Sequence, residues 1–202
     1  MPRTLVLLFH PDLRRSKANA AMAEAAASLP DTTVVDMAAA CPDGLDLARE
    51  GGPETARLLG ADRLVLQFPV QWYSTPPLLK AWQDAVLTRM FYLNYETEGR
   101  RLEGTPLMIA ATAGNTPEAY RPDGRNLFAM TDLLAPLRAT AHRCALPWAE
   151  PFVLYRADKL TPDEINAAAA AYADRLTRWD TPCKSHSDSR HPDQHVTFCH
   201  ES

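Results

Sequence analysis

The fold is decided by the stretch Gln67-Phe-Pro-Val-Gln-Trp-Tyr-Ser-Thr-Pro-Pro-Leu-Leu-Lys-Ala-Trp-Gln-Asp84. It begins inside a continuous apolar run, residues 64–68, which predicts a buried parallel strand. It ends in a predicted helix, for which Thr75 can act as the N-cap and Pro76 suits the first helical position. The apolar side chains that share one face of this helix are Leu78, Leu79, Trp82 and Val86.

The loop between this strand and this helix contains two large aromatic side chains, Trp72 and Tyr73. Loops that follow the carboxyl end of a parallel strand lie at the surface and line the ligand crevice. Large aromatic residues are unfavourable there unless another surface covers them. The loop therefore predicts that a flat ligand or a second protein chain covers Trp72 and Tyr73. Both predictions are met together if the pocket lies at a dimer interface.

Outward from this stretch, strands alternate with helices along the whole chain. The predicted strands are residues 4–9, 32–36, 63–68, 106–111 and 152–155. The predicted helices are residues 17–28, 53–59, the helix after Thr75, residues 126–138, and a last helix that runs from the capping box Thr161-Pro-Asp-Glu164 to about Trp179. Residues 87–104 form a long aromatic and charged connection. This alternation predicts an α/β fold with a doubly wound five-stranded parallel sheet of order 2-1-3-4-5.

The composition is that of a globular protein with one domain. The 202 residues, of which 46% are hydrophobic, are enough for one complete core. The net charge of −4 and the lack of a basic stripe argue against a nucleic-acid partner. No run approaches the ~20 apolar residues of a membrane span, and the first apolar run is too short for a signal peptide. Four widely spaced cysteines without a CxxC pair favour reduced thiols, so we expect a cytoplasmic protein.

The last residues differ from the rest of the chain. Residues 181–202 are polar and lack periodicity, so we predict one folded domain over residues 1–180 followed by a disordered tail. Four histidines and two cysteines lie in this tail, but their spacing matches no standard zinc pattern. We therefore predict no metal site.

In such a sheet the ligand crevice lies beyond the carboxyl ends of strands one and three, beside strand four. Three loops meet there: residues 10–19, 69–74 and 112–115. The first leads into a helix amino terminus, where unpaired backbone N–H groups favour an anion. GxGxxG and GxxxxGK[ST] motifs are both missing from the sequence, which disfavours a Rossmann dinucleotide site and a Walker phosphate loop. The residues expected to bind a phosphate are His10, Ser16, Lys17 and Asn19, with the alternative that Ser16 is only an N-cap.

The other two loops suit a planar ring. Their backbone can pass close to a heterocycle and offer successive N–H groups to its edge, and Gly114 permits a close approach. The residues expected to line the ring are Pro69, Val70, Gln71, Trp72, Tyr73, Thr112, Ala113, Gly114 and Asn115.

Three segments together resemble a known family. The stretch Phe68-Pro-Val-Gln-Trp-Tyr-Ser-Thr-Pro-Pro-Leu-Leu-Lys-Ala-Trp82 resembles that of the NAD(P)H:quinone oxidoreductases of the flavodoxin-like fold. This family includes DT-diaphorase, the modulator-of-drug-activity quinone reductases and the ancillary subunits of glutathione-gated potassium efflux. His10, Ser16 and Asn19 match its first loop, and Thr112-Ala-Gly114 followed by Tyr120 resembles its third. The resemblance covers roughly residues 3–155.

The resemblance implies a flavin held without a covalent bond, with its phosphate at residues 16–19. The backbone of residues 70–73 would line the isoalloxazine ring, and residues 112–115 would lie at its pyrimidine end. The short chain favours FMN, with FAD as the alternative. NAD(P)H would reduce the flavin and leave, and a quinone would then take its place in a ping-pong cycle. The family also implies a homodimer.

The sequence departs from the family in the third loop. Tyr120 matches a family tyrosine that stabilises charge on the reduced flavin, but the family's downstream histidine has no counterpart in residues 121–126. We therefore expect Tyr120 to act in the substrate pocket, as the catalytic candidate, and the proton relay stays open. At the position of the family's first glycine in this loop, this sequence has Ala113. A second function also stays open: a flavin-binding regulatory subunit of a potassium–proton antiporter, peripheral to the membrane.

Overall fold

Five parallel strands form one sheet of order β2-β1-β3-β4-β5 in the computed structural model, which describes residues 2–179. The predicted strand order and the flavodoxin-like α/β fold are therefore confirmed. The tail over residues 181–202 lies outside the described residues, so the predicted domain boundary stays a prediction. The strands are β1 Thr4–Leu8, β2 Thr32–Asp36, β3 Arg63–Pro69, β4 Leu107–Thr112 and β5 Phe152–Leu154.

Helices connect these strands. The α-helices are α1 Lys17–Ala27, α2 Met37–Ala40, α3 Leu47–Leu59, α4 Pro77–Trp82, α5 Arg100–Leu102, α6 Met130–Leu133, α7 Ala135–Arg143 and α8 Pro162–Thr177. The long connection between α4 and α5 is helical as well, in three π-helical segments: Gln83–Leu87, Arg89–Leu93 and Tyr95–Gly99. The predicted capping box is present at the start of α8, where Thr161 and Glu164 bond each other's backbone N–H groups. Within the described residues, no helix has the length and apolar character that a membrane crossing requires.

The sheet has a packed layer on each face. Val6 and Val65 face α1 and α8, whereas Leu7 and Leu66 face the layer that contains α3, the π-helical segments and α7. Both faces of the three central strands are buried, so nearly every residue of β1, β3 and β4 is shielded from solvent. This double burial explains why these strands are continuous apolar runs rather than alternating ones.

The helix after the aromatic loop begins one residue later than predicted. Pro76 has an extended backbone, with φ −59° and ψ 149°, and the helix starts at Pro77 without a side-chain cap. The ring of Pro77 disfavours helical backbone in the residue before it, so Pro76 stays outside the helix. The predicted cap at Thr75 is therefore wrong. Trp82 is buried, as the predicted apolar face requires.

Two other predicted helices have different boundaries. The helix predicted over residues 126–138 begins at Met130, because Leu127 has a left-handed backbone (φ 64°) and Phe128 N–H bonds Asn126 O in a tight turn. That conformation cannot continue a right-handed helix. Helix α3 begins at Leu47 rather than at residue 53, with Pro53 inside it.

A buried arginine joins the two ends of the described chain at the amino edge of the sheet. Arg63, the first residue of β3, donates from Nε to Thr4 Oγ1 (2.7 Å) and from Nη1 to Trp179 O (2.8 Å). Its guanidinium carbon also lies 5.2 Å from the centre of the Trp179 ring. Arg63 therefore fixes the position at which α8 ends, below strands β1 and β3.

Candidate functional site

Four loops meet at the carboxyl edge of the sheet. They are the β1 loop (residues 9–16), the β3 loop (residues 70–76), the β4 loop (residues 113–129) and the β5 loop (residues 155–161). The strand register aligns Leu8 with Gln67 and Pro69 with Thr112, so the strands end side by side. The structure thus brings together the three loops that the sequence singled out, and adds a fourth.

The β3 loop is a tight two-residue turn between Gln71 and Ser74. These two residues exchange both backbone hydrogen bonds at 3.0 Å, and Trp72 and Tyr73 at the tip have left-handed backbones (φ 46° and 63°). Such backbones in non-glycine residues are unfavourable by about 1–3 kcal/mol each, and they concentrate at functional sites. Trp72 is 94% exposed and Tyr73 is 50% exposed, so no part of the described chain covers the aromatic tip.

The β4 loop is held from below by its neighbours. Thr112 O accepts from Val70 N–H (2.8 Å), and Ala113 N–H donates to Leu154 O (2.9 Å). These bonds use the polar backbone groups closest to the sheet. Within residues 2–179 no acceptor contacts the backbone N–H groups of Trp72, Tyr73, Gly114 or Asn115. Four donors on two facing loops are therefore available to a ligand.

An open cleft of about 370 Å³ lies between these loops. Its wall combines aromatic and small side chains with two amides and three charged groups. The lining residues are Val70, Trp72, Tyr73, Gly114, Asn115, Tyr120, Arg125, Asn126, Asp158 and Lys159. Five of the ring-lining residues predicted from the sequence are among them. The other four, Pro69, Gln71, Thr112 and Ala113, support the loops from below or from the side.

A buried polar network anchors the β1 loop to β4. The Asn19 side-chain amide donates to Ser16 Oγ (3.0 Å) and to Thr112 Oγ1 (2.9 Å). Gln67 Nε2 in turn donates to Asn19 O (2.9 Å). Because Asn19 is buried and its side-chain amide donates within the protein, it positions the loop. Ser16 is the N-cap of α1, and its Oγ accepts from Asn19 N–H (3.3 Å). The side chain of Lys17, the next residue, is exposed.

His10 lies half-buried at the start of the β1 loop. Its Nδ1 accepts from Asp12 N–H (3.1 Å), so the proton of the neutral ring is on Nε2. Burial lowers the pKa of His10 more than the charges of Asp12 and Asp36 raise it. The ring is therefore neutral at pH 7, with one N–H donor left for a ligand.

We expect the imidazole of His10 to titrate below the usual value of about 6.5 in the free protein. Addition of FMN should raise this pKa, because a phosphate near Nε2 favours the protonated ring. The test follows the His10 ring proton by NMR over pH 5–8, with His10→Gln to assign the signal. A pKa that stays unchanged when FMN is bound would remove His10 from the phosphate site.

Tyr120 sits in the β4 loop against a second tyrosine. The rings of Tyr120 and Tyr155 are 5.6 Å apart at an angle of 49°. Burial raises the pKa of Tyr120, and the nearby hydroxyls of Tyr73 and Tyr155 raise it further. The Tyr120 hydroxyl is thus protonated at neutral pH and can donate a hydrogen bond into the cleft.

The β5 loop was missed from the sequence. Its backbone docks on the β4 loop through Arg156 N–H to Asn115 O (3.1 Å) and Ala157 N–H to Ala113 O (3.0 Å). This docking brings Asp158 and Lys159 to the cleft wall. Their position directly after the carboxyl end of a strand in the same sheet is the one sequence feature that indicates this edge.

No group of three His, Cys, Asp or Glu side chains that could hold a metal occurs in the described part of the chain. The two cysteines described, Cys41 and Cys144, are buried, and burial raises the pKa of the Cys144 thiol to about 11. A thiol with such a pKa is unreactive at neutral pH.

Many known proteins are similar to this chain in sequence or in structure. A family model described by its flavodoxin-like fold matches residues 2–177. The uncharacterized NAD(P)H oxidoreductase YdeQ of Bacillus subtilis is 36% identical over 176 residues, covering 87% of this chain and 86% of YdeQ. The glutathione-regulated potassium-efflux system ancillary protein KefG of Cronobacter sakazakii is 37% identical over 180 residues, covering 87% of this chain and 95% of KefG.

Solved structures agree with these relatives. General stress protein 14 of Treponema denticola, in complex with FMN, superposes with a TM-score of 0.77 at 30% identity, covering 87% of this chain and 98% of that one. An NADPH-quinone reductase of P. pentosaceus superposes with a TM-score of 0.73 at 27% identity, with the same coverage. The resemblance stated from the sequence is therefore confirmed, and the chain belongs to the flavodoxin-like family of NAD(P)H oxidoreductases and potassium-efflux ancillary proteins.

Proposed function

We propose that this protein is a flavin-dependent NAD(P)H:quinone oxidoreductase with bound FMN. The observation that supports this most is a set of four backbone N–H groups, on Trp72, Tyr73, Gly114 and Asn115, for which residues 2–179 provide no acceptor. The edge of an isoalloxazine ring carries carbonyl oxygens and ring nitrogens, which are the acceptors that such donors require. The open cleft of about 370 Å³ between the two loops has room for a flat ring of this kind.

The phosphate end of FMN fits the β1 loop. In the described chain, the N–H groups of Lys17 and Ala18, in the first turn of α1, have no acceptor, as at any helix start. They can bind a phosphate together with the Nε2 donor of His10 and the charge of Lys17. Asn19 and Thr112 hold this loop against β4. We propose FMN rather than FAD because these residues account for a single phosphate.

When bound, the flavin supplies the reversible two-electron redox chemistry that the side chains of this cleft lack. The protein binds and orients the partners of that reaction. Tyr73 and Trp72 form one wall of the cleft, and Tyr120 on the other side offers a neutral hydroxyl as donor to a substrate oxygen. The open side of the cleft admits a hydride donor and, after it leaves, a quinone, which is the arrangement that a ping-pong cycle needs.

The test of this proposal is the cofactor itself. Protein purified without added flavin should be yellow, and heat should release FMN, identified by its mass. The loaded protein should then oxidise NADPH or NADH with a simple benzoquinone as acceptor, with parallel lines in a double-reciprocal plot. Protein that neither retains nor takes up FMN or FAD would rule the proposal out.

We also propose that two copies of the chain associate through the aromatic tip of the β3 loop. Exposed apolar side chains lie on this tip, on the π-helical segment Arg89–Leu93 and on the β4 loop: Trp72, Tyr73, Tyr92, Leu93, Leu127 and Phe128. Large aromatic side chains exposed in this way are enriched at protein interfaces. Sedimentation of the purified protein distinguishes a dimer from a monomer.

A regulatory role is the second candidate, and the KefG relative is the observation that favours it. In that role the same flavin site would report the redox state to a potassium–proton antiporter. Co-purification with an antiporter, together with slow quinone turnover, would favour regulation. Fast quinone turnover without such a partner would favour the enzyme.

A further inference from the structure

Four basic side chains lie on the β4 and β5 loops: Arg121, Arg125, Arg156 and Lys159. Two of them face carboxylates. The pKa of Glu118 is lowered mainly by its own backbone N–H, and in smaller part by Arg121. The pKa of Glu164 is lowered mainly by hydrogen bonds from Thr161, and in smaller part by Arg156. Arg121 and Arg156 thus each have a carboxylate nearby, Glu118 and Glu164 respectively.

Arg125 and Lys159 differ from this pair in their position and in their charged neighbours. Both line the cleft, one from the β4 loop and one from the β5 loop. Neither forms an ion pair with a carboxylate anywhere in residues 2–179, although Asp158 lines the same cleft. Two cations on separate loops are therefore available to an anion at the same opening.

Their exposure shows which part of a ligand they can reach. Arg125 and Lys159 are exposed, whereas Val70, Asn115 and Tyr120 are partly buried deeper in the wall. Long, flexible side chains at the rim extend towards solvent and contact the part of a ligand that leaves the cleft. A hydride donor that places its nicotinamide in the cleft leaves its phosphates at this rim. Because the chain as a whole has a net charge of −4, binding of such an anion needs local positive charge.

We propose that Arg125 and Lys159 together bind the phosphate groups of the dinucleotide hydride donor. This inference rests on the proposed function, because it assigns the donor's phosphates to named residues. It makes these two side chains determinants of donor affinity, separate from the backbone donors that hold the flavin ring. It also predicts that donor affinity falls as salt rises, since salt screens exposed charges.

The experiment compares the double variant Arg125→Gln/Lys159→Gln with the matched control Arg121→Gln, which removes one positive charge from the same β4 loop. Calorimetric titration of the FMN-loaded proteins with NADP+ measures binding without turnover. We expect the Kd of the double variant to rise at least about tenfold, as the loss of charge-assisted contacts predicts, and that of the control to stay within about twofold. The affinity for FMN should be the same in all three proteins.

Steady-state rates then separate this inference from the proposed function. With NADPH, the double variant should show a raised KM and a nearly unchanged kcat. With a dihydronicotinamide that has no phosphate, the double variant and the unchanged protein should perform alike. Equal losses with both donors, weaker FMN binding, or the same loss in Arg121→Gln would overturn the phosphate assignment. If NADP+ binds as expected but no donor is oxidised, the phosphate assignment stands and the proposed enzyme activity falls.

Discussion

Replacement of Asn19 by Leu should lower the free energy of unfolding by about 2–4 kcal/mol, since two buried hydrogen bonds are lost without substitutes. Thr112 Oγ1, which is buried, loses its donor, and Ser16 Oγ loses one of its two. The β1 loop is then no longer fixed to β4, so its phosphate-binding groups are less well ordered before the ligand arrives. We therefore expect FMN to bind at least about tenfold more weakly, because preorganisation is lost. Denaturant unfolding and a fluorescence titration with FMN measure both effects.

The network acts as a unit only if its members are coupled. Thr112→Val removes one partner of Asn19 and should cost less than Asn19→Leu on its own. In the double variant the two effects should fall short of their sum by at least about 0.5 kcal/mol, as for groups in direct contact. Strictly additive effects would show that Asn19 and Thr112 act separately, and that the loop is held in some other way.

Replacement of Gly124 by Ala should impair the site far more than the fold. A Cβ at this position would lie 2.4 Å from Glu118 O and 2.6 Å from Ala119 O. The backbone around Gly124 and the backbone of residues 118–119 must therefore move apart. The same loop brings Tyr120, Arg125 and Asn126 to the cleft. A displacement of about 1 Å at such groups lowers kcat/KM about 100-fold, whereas overpacking of this size costs about 1–3 kcal/mol of stability.

The matched control is Gly60→Ala. Gly60 is exposed directly after α3, and a Cβ there would lie at ordinary contact distance, 3.4 Å from Arg57 O and 3.5 Å from Ala56 O. Because this substitution requires no movement of the backbone, the free energy of unfolding should stay within about 0.5 kcal/mol of that of the unchanged protein, with full activity. Turnover of NADPH and thermal unfolding, measured on both variants, separate the two mechanisms. A Gly124→Ala protein with normal turnover would show that the β4 loop adapts without moving its functional side chains.

The sheet order could be predicted because burial on both faces makes the central strands unmistakable as apolar runs. The convergence of the first three loops follows from that order alone. Prediction was weaker where a single backbone angle decides the outcome. The left-handed residue Leu127 removes the first turn of a helix whose side-chain pattern is otherwise convincing, and Pro77 shifts a helix start by one residue.

The long connection after α4 shows a different limit. Most of residues 83–99 is helical with the wider π spacing, interrupted at Asn94, so the 3.6-residue periodicity that identifies an α-helix is absent. The β5 loop was missed for another reason. Asp158 and Lys159 reach the cleft through backbone hydrogen bonds between the β5 and β4 loops. Their place after a strand indicates the correct edge of the sheet, but the sequence does not reveal these bonds, which depend on the three-dimensional arrangement of the two loops.

The bonds of Arg63 to Thr4 and Trp179 have a practical consequence. They place the end of α8 at the opposite edge of the sheet from the cleft, a separation of roughly 20 Å along the seven residues of β3. A sensor chip or electrode coupled at the end of α8 would therefore be joined to the protein on its far side, with the aromatic tip and the side chains of Arg125 and Lys159 turned towards the solution.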